Sequence, residues 1–369
     1  MILKKKFNFL INLLVILILV IIFDLIINLF IPKNFKKSIG TSRNYSLKSV
    51  KFHHEIAPNI NVYEYWGQNK YKVQTNSHSM RVEDRLSKTA EKNKKNIAFI
   101  GDSFVYGSGV DIQNHFITLV KKKNNNYNYF NLAYVSYSPS IYYKKLEYLL
   151  EIEKFNFNKI FIFIDHSDIQ DEGIFYREDK NGNIVRKWLT DDQVKSKNFK
   201  HFFKNYFKQH SFSYKLYENL NYPKISPNTK NCLDQKDTDF KKYIDQERFG
   251  YSYISTINKK KWIIDGMNKT RNYLNKINDI SKKYNIEIFI IFYPSALEVI
   301  DNISPKKSNH FNLLKKWSDL NKIKFIDMSN DFIKKGTIQD YLDNFIKCDV
   351  HWNVKGHKII SENILKNLP

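Results

Sequence analysis

A serine stands at the end of an apolar run in the segment IAFIGDSFVYGSGV, residues 97–110. The run stops at Gly101, Asp102 and Ser103, a pattern typical of a tight turn, a phosphate-binding loop or a displayed nucleophile. A P-loop requires G-x-x-x-x-G-K-[ST] and a dinucleotide fingerprint requires G-x-G-x-x-G, and the segment contains neither. A nucleophilic serine requires instead a histidine and an acid from elsewhere in the chain.

A carboxylate and two histidines occur together in the segment CDVHWNVKGHKIISENIL. Asp349 and His351 are two positions apart, so on a loop the carboxylate can turn back to the imidazole. That contact fixes the tautomer of the ring and leaves its second nitrogen to accept the serine proton. We therefore interpret Ser103, His351 and Asp349 as a candidate triad. His357 is interpreted as a packing residue at the start of the last helix, because one histidine already fills the base role.

Five strongly apolar runs alternate with helical patterns after residue 95. The runs are NIAFIG, YNYFNLA, KIFIFID, IEIFIIFYPS and KFIDMS. Near-continuous apolar strands separated by helices indicate a parallel sheet covered on both faces, so we predict a doubly wound α/β domain. Ligands of such sheets bind at the carboxyl ends of the strands, where the strand order reverses. Ser103 directly follows the first strand, which favours a functional role over a plain turn.

The motifs at the two ends of this region resemble those of the SGNH/GDSL hydrolase family. They are GDSF at residues 101–104, followed by Gly107 and Gly109, and D-x-H-W-N-x-x-G-H, which begins at Asp349. The resemblance covers about residues 96–369. Many members have D-x-x-H instead of D-x-H. The shorter spacing is similar to that of alginate O-acetyltransferase-type proteins, although in that group the pair precedes the serine.

The resemblance implies a flavodoxin-like three-layer sandwich with a parallel five-stranded sheet, the SGNH hydrolase fold. It implies that Ser103 is the nucleophile and first oxyanion donor, that His351 is the general base, and that Asp349 orients the base. The family uses neither metal nor cofactor. The block NLAYVSYSPS places Ser136 where the family has an oxyanion glycine, and IDHSDIQDE places Ser167 where the family has an oxyanion asparagine.

Three further residues near these blocks are weighed as site or scaffold. Asp168 follows Ser167, and a substrate-binding and a scaffolding role are equally open for it. Tyr293 ends the fourth strand, where its ring could line the substrate pocket or only shape the loop. Asp102 is interpreted as a brace of the turn through backbone N–H groups.

The implied activity is serine-dependent hydrolysis or O-acyl (acetyl) transfer on an acyl ester. An envelope glycan is a natural substrate for an exported, tethered enzyme of this kind. The alternative is a non-catalytic SGNH-like protein that binds glycan or scaffolds an envelope complex, which the altered second and third blocks favour. Labelling by a fluorophosphonate separates the two, since only an activated serine reacts well.

The N-terminal segment FNFLINLLVILILVIIFDLIINLFIP is apolar except for Asn8, Asn12, Asp24 and Asn28. A helix of about 20 residues at ~1.5 Å per residue crosses the hydrocarbon core of a bilayer. Because no small-residue cleavage site follows directly, we predict an uncleaved membrane anchor. Lysines flank both ends of the segment, so the charge rule does not fix its orientation; we expect the folded domain outside the cytoplasm.

The composition excludes two other classes of function. Lys and Arg total 60 against 37 Asp and Glu, a net charge of +23. The lysines are spread along the chain, which predicts a solvated surface and no nucleic-acid partner. The two cysteines, Cys232 and Cys348, lack metal-ligand spacing. A disulfide between them is possible, and the sequence does not decide it.

The chain divides into three parts by composition and pattern. We predict a cytoplasmic tail and transmembrane anchor over residues 1–32, and a linker with a small N-terminal extension over residues 33–95. The catalytic domain is predicted over residues 96–369. An insertion rich in aromatic residues and lysine interrupts it at about residues 169–250.

Overall fold

The computed structural model of the chain describes residues 2–30, 45–49, 52–84, 90–188, 211–221, 232–233 and 261–368. The strands of this part are β1 Ser46–Ser49, β2 His53–Ile56, β3 Asn61–Trp66, β4 Asn69–Gln74, β5 Lys95–Ile100, β6 Tyr127–Asn131, β7 Lys159–Phe163, β8 Tyr176–Glu178, β9 Ile184–Arg186, β10 Glu287–Phe292 and β11 Lys324–Asp327. Its helices are α1 Ile2–Phe30, α2 Ser103–Tyr106, α3 Phe116–Lys123, α4 Pro139–Glu151, α5 His166–Gln170, α6 Phe212–Asn221, α7 Lys261–Lys283, α8 Ala296–Ile300, α9 Asn309–Leu320, α10 Ser329–Phe332, α11 Ile338–Asn344 and α12 Val354–Lys366.

Five parallel strands form the central sheet, in the order β11, β10, β7, β5, β6. They are the five strands predicted from the apolar runs, so the predicted α/β fold with a parallel five-stranded sheet is confirmed. The last four residues of β5 and of β7 are all buried. Since successive side chains of a strand point to opposite faces, both faces of the sheet are covered. Helix α3 packs with α12, and α4 packs with α7.

Three stacked phenylalanines fix the register of the central strands. Phe99, Phe161 and Phe289 lie directly opposite one another on β5, β7 and β10. Their ring centroids are 5.3 and 4.6 Å apart along this row. All three side chains are buried, and each contributes roughly 1.5–3 kcal/mol by its removal from water. The row holds the carboxyl ends of these strands level with one another.

The strand order reverses at β5, the first strand of the sheet along the chain. Its neighbours are β6 on one side and β7 on the other, so the connections that leave β5 and β6 diverge to opposite sides. This is the position at which doubly wound sheets form a ligand crevice. Ser103 follows β5, Ser136 follows β6, Ser167 follows β7 and Tyr293 follows β10, so all four lie at the carboxyl edge of the sheet.

Two antiparallel hairpins precede the sheet, β1 with β2 and β3 with β4. A third hairpin, β8 with β9, lies between α5 and α7. Helix α6 falls in the same interval, which is the region predicted as an insertion. Much of residues 189–260 lies outside the described residues.

The apolar N-terminal segment forms helix α1. Its one acidic residue, Asp24, is 9% exposed, and its Oδ1 accepts hydrogen bonds from the Ser213 N–H and hydroxyl at 2.9 Å each. These bonds tie α1 to the first turn of α6, whose leading N–H groups lack intrahelical partners. Among the residues that the structure describes, no helix has the combined length and hydropathy of a membrane span. The predicted membrane anchor stays a prediction.

Candidate active site

Ser103, His351 and Asp349 form one continuous chain of polar contacts. The His351 Nε2 lies 2.7 Å from the Ser103 Oγ, and the His351 Nδ1 lies 2.5 Å from the Asp349 Oδ1. The contact with the carboxylate places the ring proton on Nδ1, so Nε2 is an acceptor. The serine hydroxyl also lies 3.3 Å from the Asp102 Oδ2. Because it has a single proton and the contact with Nε2 is shorter, we assign its donation to the histidine.

The turn that carries Ser103 is held by its neighbours. The Asp102 Oδ1 accepts a hydrogen bond from the Phe104 N–H at 2.9 Å, which confirms the interpretation of Asp102 as a brace. A Cβ on Gly101 would lie 2.4 Å from the Val105 side chain, so only glycine allows this close approach. Within the described part of the chain, no acceptor takes the Ser103 N–H. That N–H is therefore available to an oxyanion.

The loop between α11 and α12 carries Asp349 and His351. The Asp349 Oδ1 accepts the backbone N–H of His351 at 2.8 Å as well as its ring proton. The D-x-H spacing permits both bonds, because an aspartate readily bonds the backbone two residues on. The loop is closed by a bridge between Phe345 and Trp352, and the Tyr341 hydroxyl accepts the Asp349 N–H at 3.2 Å.

Aromatic packing supports the imidazole from within the protein. The Phe104 ring stacks on the His351 ring with centroids 4.5 Å apart. Tyr293 lies behind Phe104 at 5.3 Å and contacts Trp352 at 4.6 Å. Tyr293 is only 2% exposed. The structure therefore places this ring in the packing beneath the base, and the substrate-binding role expected for Tyr293 has no support in this arrangement.

Ser136 has a left-handed backbone conformation, which glycine adopts most readily. Its φ is +58°, in the left-handed region where a side chain costs roughly 1–2 kcal/mol. The His54 ring donates to the carbonyl of Val135 at 2.7 Å, and the Tyr176 hydroxyl donates to the carbonyl of Ser136 at 2.8 Å. These two bonds hold the strained turn in place. Oxyanion donation by the Ser136 N–H stays a prediction.

The residues after β7 form a helix cap. The Ser167 hydroxyl and N–H both donate to the Asp165 Oδ1, at 2.6 and 2.7 Å. Asp168 accepts the Asp165 N–H and the Tyr142 hydroxyl, at 2.8 Å each. Burial raises the pKa of Asp168 well above its usual value, with the charges of Asp165 and Asp102 adding to the effect.

This cap corrects the expectation for Ser167 and decides between the two roles left open for Asp168. The Ser167 hydroxyl, predicted as an oxyanion donor, donates to Asp165 instead. Asp165 caps the start of the helix, where backbone N–H groups lack intrahelical partners, so its carboxylate lies within reach of this hydroxyl. Asp168, for which the sequence left a substrate-binding role open, is 1% exposed and has both oxygens engaged inside the protein. Of its two open roles, the structure assigns Asp168 the scaffolding one.

Trp66, at the end of β3, reaches the site although no motif marks it. Its indole nitrogen lies 3.1 Å from the Asp349 Oδ2 and 3.1 Å from the His351 Nδ1. The indole nitrogen is only a donor and Nδ1 carries a proton, so the hydrogen bond goes to the carboxylate. The Trp66 and His351 rings meet edge to face with centroids 4.7 Å apart. The N-terminal extension thus supplies a side chain to the site.

Arg81 closes the helix that begins at the serine. Its buried guanidinium donates to the carbonyls of Tyr106 at 2.9 Å, Gly107 at 2.6 Å, Val110 at 2.6 Å and Lys72 at 3.2 Å. The last helical residues leave carbonyls without intrahelical partners, and the guanidinium supplies donors for them. It thereby joins β4 to the segment that follows the nucleophile.

His357 packs as predicted, buried at the start of α12. Its Nδ1 accepts the Phe116 N–H at 3.3 Å. Burial lowers the pKa of His357 to about 3, with the charges of Arg81 and His351 contributing. Burial likewise lowers the pKa of His54 to about 4 and that of His310 to about 3. These three imidazoles are neutral in the folded protein at neutral pH.

We expect the folded state to lose stability as the pH falls below about 6.5, the ordinary pKa of histidine. Below that pH the histidines of the unfolded chain bind protons, whereas the buried rings of the folded protein stay neutral. The free energy of unfolding therefore falls by about 1.4 kcal/mol per pH unit and per ring, until the folded pKa is reached. The melting temperature between pH 7.0 and 4.5 measures this loss. His357→Asn removes one such ring and should flatten the slope; equal slopes in the two proteins contradict the assignment.

A disulfide joins the insertion to the loop that carries Asp349 and His351. Cys232 pairs with Cys348, which settles the question that the sequence left open. Cys348 directly precedes Asp349. The cross-link therefore tethers the loop of the acid to a segment 116 residues earlier in the chain.

Reduction of this disulfide is expected to lower the free energy of unfolding by about 4 kcal/mol, because it releases a closed loop of more than a hundred residues in the unfolded state. Activity should fall as well, since the cross-link restrains the neighbour of Asp349. Melting curves with and without reductant measure the effect. Cys232→Ser should have the melting temperature of the reduced protein, and reductant should not change it. A variant whose melting temperature still falls on reduction contradicts the pairing.

Several solved structures resemble this chain. A member of the lipolytic protein G-D-S-L family from Veillonella parvula DSM 2008 is 12% identical, with a TM-score of 0.39 over 74% of this chain and 97% of that chain. The acetyl xylan esterase AlAXEase is 13% identical, with a TM-score of 0.42 over 74% and 100%. The psychrotrophic esterase EstA from Pseudoalteromonas sp. is 11% identical, with a TM-score of 0.35 over 74% and 96%. No protein-family model and no curated protein matches the sequence.

The two end motifs identified in the sequence meet in the structure. The serine of GDSF meets the histidine and the aspartate of D-x-H at the carboxyl edge of the sheet. In its end motifs and in the contacts that unite them, the chain resembles the SGNH/GDSL hydrolase superfamily.

Proposed function

We propose that this protein is a serine esterase of the SGNH/GDSL type. One observation carries the proposal, the hydrogen-bonded row from the Ser103 hydroxyl through His351 to Asp349, with contacts of 2.7 and 2.5 Å. A serine hydroxyl is a weak nucleophile until an adjacent base removes its proton. Here His351 contacts both the serine hydroxyl and the orienting carboxylate. With its proton on Nδ1, the ring leaves Nε2 to act as the base.

The reaction proceeds in two halves at this row. The Ser103 Oγ attacks the acyl carbonyl while the His351 Nε2 takes the hydroxyl proton, and Asp349 stabilises the imidazolium. The tetrahedral oxyanion is bound by the Ser103 N–H and, we propose, by the Ser136 N–H. Nε2 then returns the proton to the leaving alcohol, and an acyl-serine remains. A water or an acceptor hydroxyl, deprotonated by the same nitrogen, attacks the acyl group and releases the serine.

We further propose an acylated envelope glycan as substrate, with transfer to a sugar hydroxyl as a possible second half-reaction. The Cys232–Cys348 disulfide is typical of proteins that mature in an oxidising compartment. Apolar side chains are exposed along α1, including Leu29 at 81% and Phe30 at 80%, which favours burial of this helix in lipid. These features fit an enzyme tethered on the outer side of a membrane.

A fluorophosphonate probe tests the proposal. We expect one equivalent to attach to the protein, and mass spectrometry of the peptides to locate it on Ser103. Absence of labelling in the folded protein would favour the non-catalytic alternative, a glycan-binding or scaffold protein. Incubation of an acetyl-ester donor with a glycan acceptor then separates hydrolysis from transfer: free acetate marks an esterase, and an acetylated glycan marks a transferase.

A further inference from the structure

We propose that Trp66 is a positioning residue of this site, whose indole N–H holds the second oxygen of the Asp349 carboxylate and through it the orientation of His351. The inference rests on the proposed function, because it concerns the same triad. It also gives a catalytic task to the extension that precedes the sheet, for which the sequence indicated only a linker and small strands.

The bonds to the Asp349 carboxylate divide between its two oxygens. Oδ1 accepts both the ring proton and the backbone N–H of His351, at 2.5 and 2.8 Å. Oδ2 accepts the Trp66 indole N–H at 3.1 Å. Both bonds to Oδ1 restrain the carboxylate through one oxygen only, and the terminal torsion of an aspartate side chain is broad, so the group can still tilt about it. A donor on Oδ2 fixes the plane of the group.

The hairpin that carries Trp66 is itself fixed to the loop of the nucleophile. The Asn69 side-chain amide donates to the Gly109 carbonyl at 3.0 Å, and the Lys72 N–H donates to the Asp111 carboxylate at 2.8 Å. A Cβ on Gly109 would lie 2.4 Å from Ile346 and 3.5 Å from Trp66. The end of the hairpin therefore lies between the loop after the serine and the loop of the acid.

The expected consequence concerns the charged state of the base. When the His351 ring takes the serine proton, its positive charge is stabilised by Asp349 best while a carboxylate oxygen faces Nδ1 in the plane of the ring. Loss of the indole N–H frees the carboxylate to turn, so fewer molecules hold the ring in the reactive orientation. Substrate binding is not affected directly, because the indole N–H faces the acid. The loss should therefore appear in kcat and not in KM.

Trp66→Phe in the full chain tests this inference, because it keeps an aromatic ring and removes the N–H. We expect the rate of labelling by a fluorophosphonate, and kcat with p-nitrophenyl acetate, to fall about tenfold with KM nearly unchanged. In an Asp349→Asn background the same substitution should cause no further loss. Effects that multiply in the double variant would show that Trp66 acts independently of the acid and would overturn the inference.

Two comparisons separate this role from packing. Trp317→Phe removes an indole bond to Asn275 at 2.7 Å on α9 and should leave both rates unchanged. If Trp66→Phe does not fold, the benzothienyl analogue of tryptophan at position 66 keeps the ring shape and removes only the donor; a wild-type rate in that protein overturns the inference.

Labelling that is lost in Ser103→Ala but unchanged in Trp66→Phe refutes only the role of Trp66. Labelling that persists in Ser103→Ala refutes the proposed function and this inference with it.

Discussion

Replacement of Ser103 by alanine is expected to lower kcat for an acetyl-ester probe by about 10⁴-fold or more, a loss of about 5 kcal/mol of transition-state stabilisation. The substitution removes the attacking oxygen, and the 2.7 Å contact with the His351 Nε2 disappears with it. The fold should be retained, because the turn is braced by Asp102 and not by the serine hydroxyl. Steady-state hydrolysis of p-nitrophenyl acetate and a thermal melt measure the two quantities together.

A neighbouring serine provides the matched control. Ser108 is buried at 1% exposure, and its hydroxyl has no hydrogen-bond partner among the described residues. Ser108→Ala removes a hydroxyl from the same loop, and we expect it to keep the activity of the wild type. If Ser103→Ala retains activity within tenfold of the wild type, the reaction proceeds elsewhere and the proposed mechanism is wrong.

The second large effect is expected at the acid. Asp349→Asn should lower kcat/KM by about 10³- to 10⁴-fold. The amide of asparagine can offer an N–H to the His351 Nδ1, which favours the tautomer with the proton on Nε2. A protonated Nε2 cannot accept the Ser103 proton, so the base is lost although its ring stays in place. KM should change little, because the carboxylate bonds the histidine and lies within the protein.

Asp343→Asn is the control for this substitution. Its carboxylate lies on α11, partly exposed, and pairs with Lys355 at 2.9 Å. Exposed pairs of this kind contribute little to stability, and none of these atoms contacts the triad. We expect wild-type kinetics from this variant. Kinetics of Asp349→Asn that match those of Asp343→Asn would contradict the assignment of the acid.

The sheet was predictable because its strands are buried on both faces. Continuous runs such as IFIF in β7 occur where successive side chains meet apolar neighbours on opposite sides, and a single sequence displays that pattern directly. The contacts that join Ser103, His351 and Asp349 were predictable for a different reason. Each of these residues lies in a short motif whose residue types and spacing are set by the chemistry.

The supporting contacts had no local pattern to reveal them. Trp66 and Asp349 are 283 positions apart, and the hydrogen bond between them depends on where two loops meet in space. The bond from His54 to the Val135 carbonyl is of the same kind. Ser167 shows the opposite failure. Its position in a recognisable block suggested an oxyanion donor, but the neighbouring Asp165 captures its hydroxyl at 2.6 Å.

The 248 positions between Ser103 and His351, the proposed nucleophile and its proposed base, have a consequence for biosynthesis. Translation at roughly 5–20 residues per second separates the emergence of the two groups by roughly 12–50 s. Throughout that interval the nascent polypeptide carries its serine in an unactivated state. Prematurely terminated products are therefore inert towards cellular esters. A pair of fragments divided within the insertion would regain turnover only on reassembly, which makes ester cleavage a direct reporter of complementation.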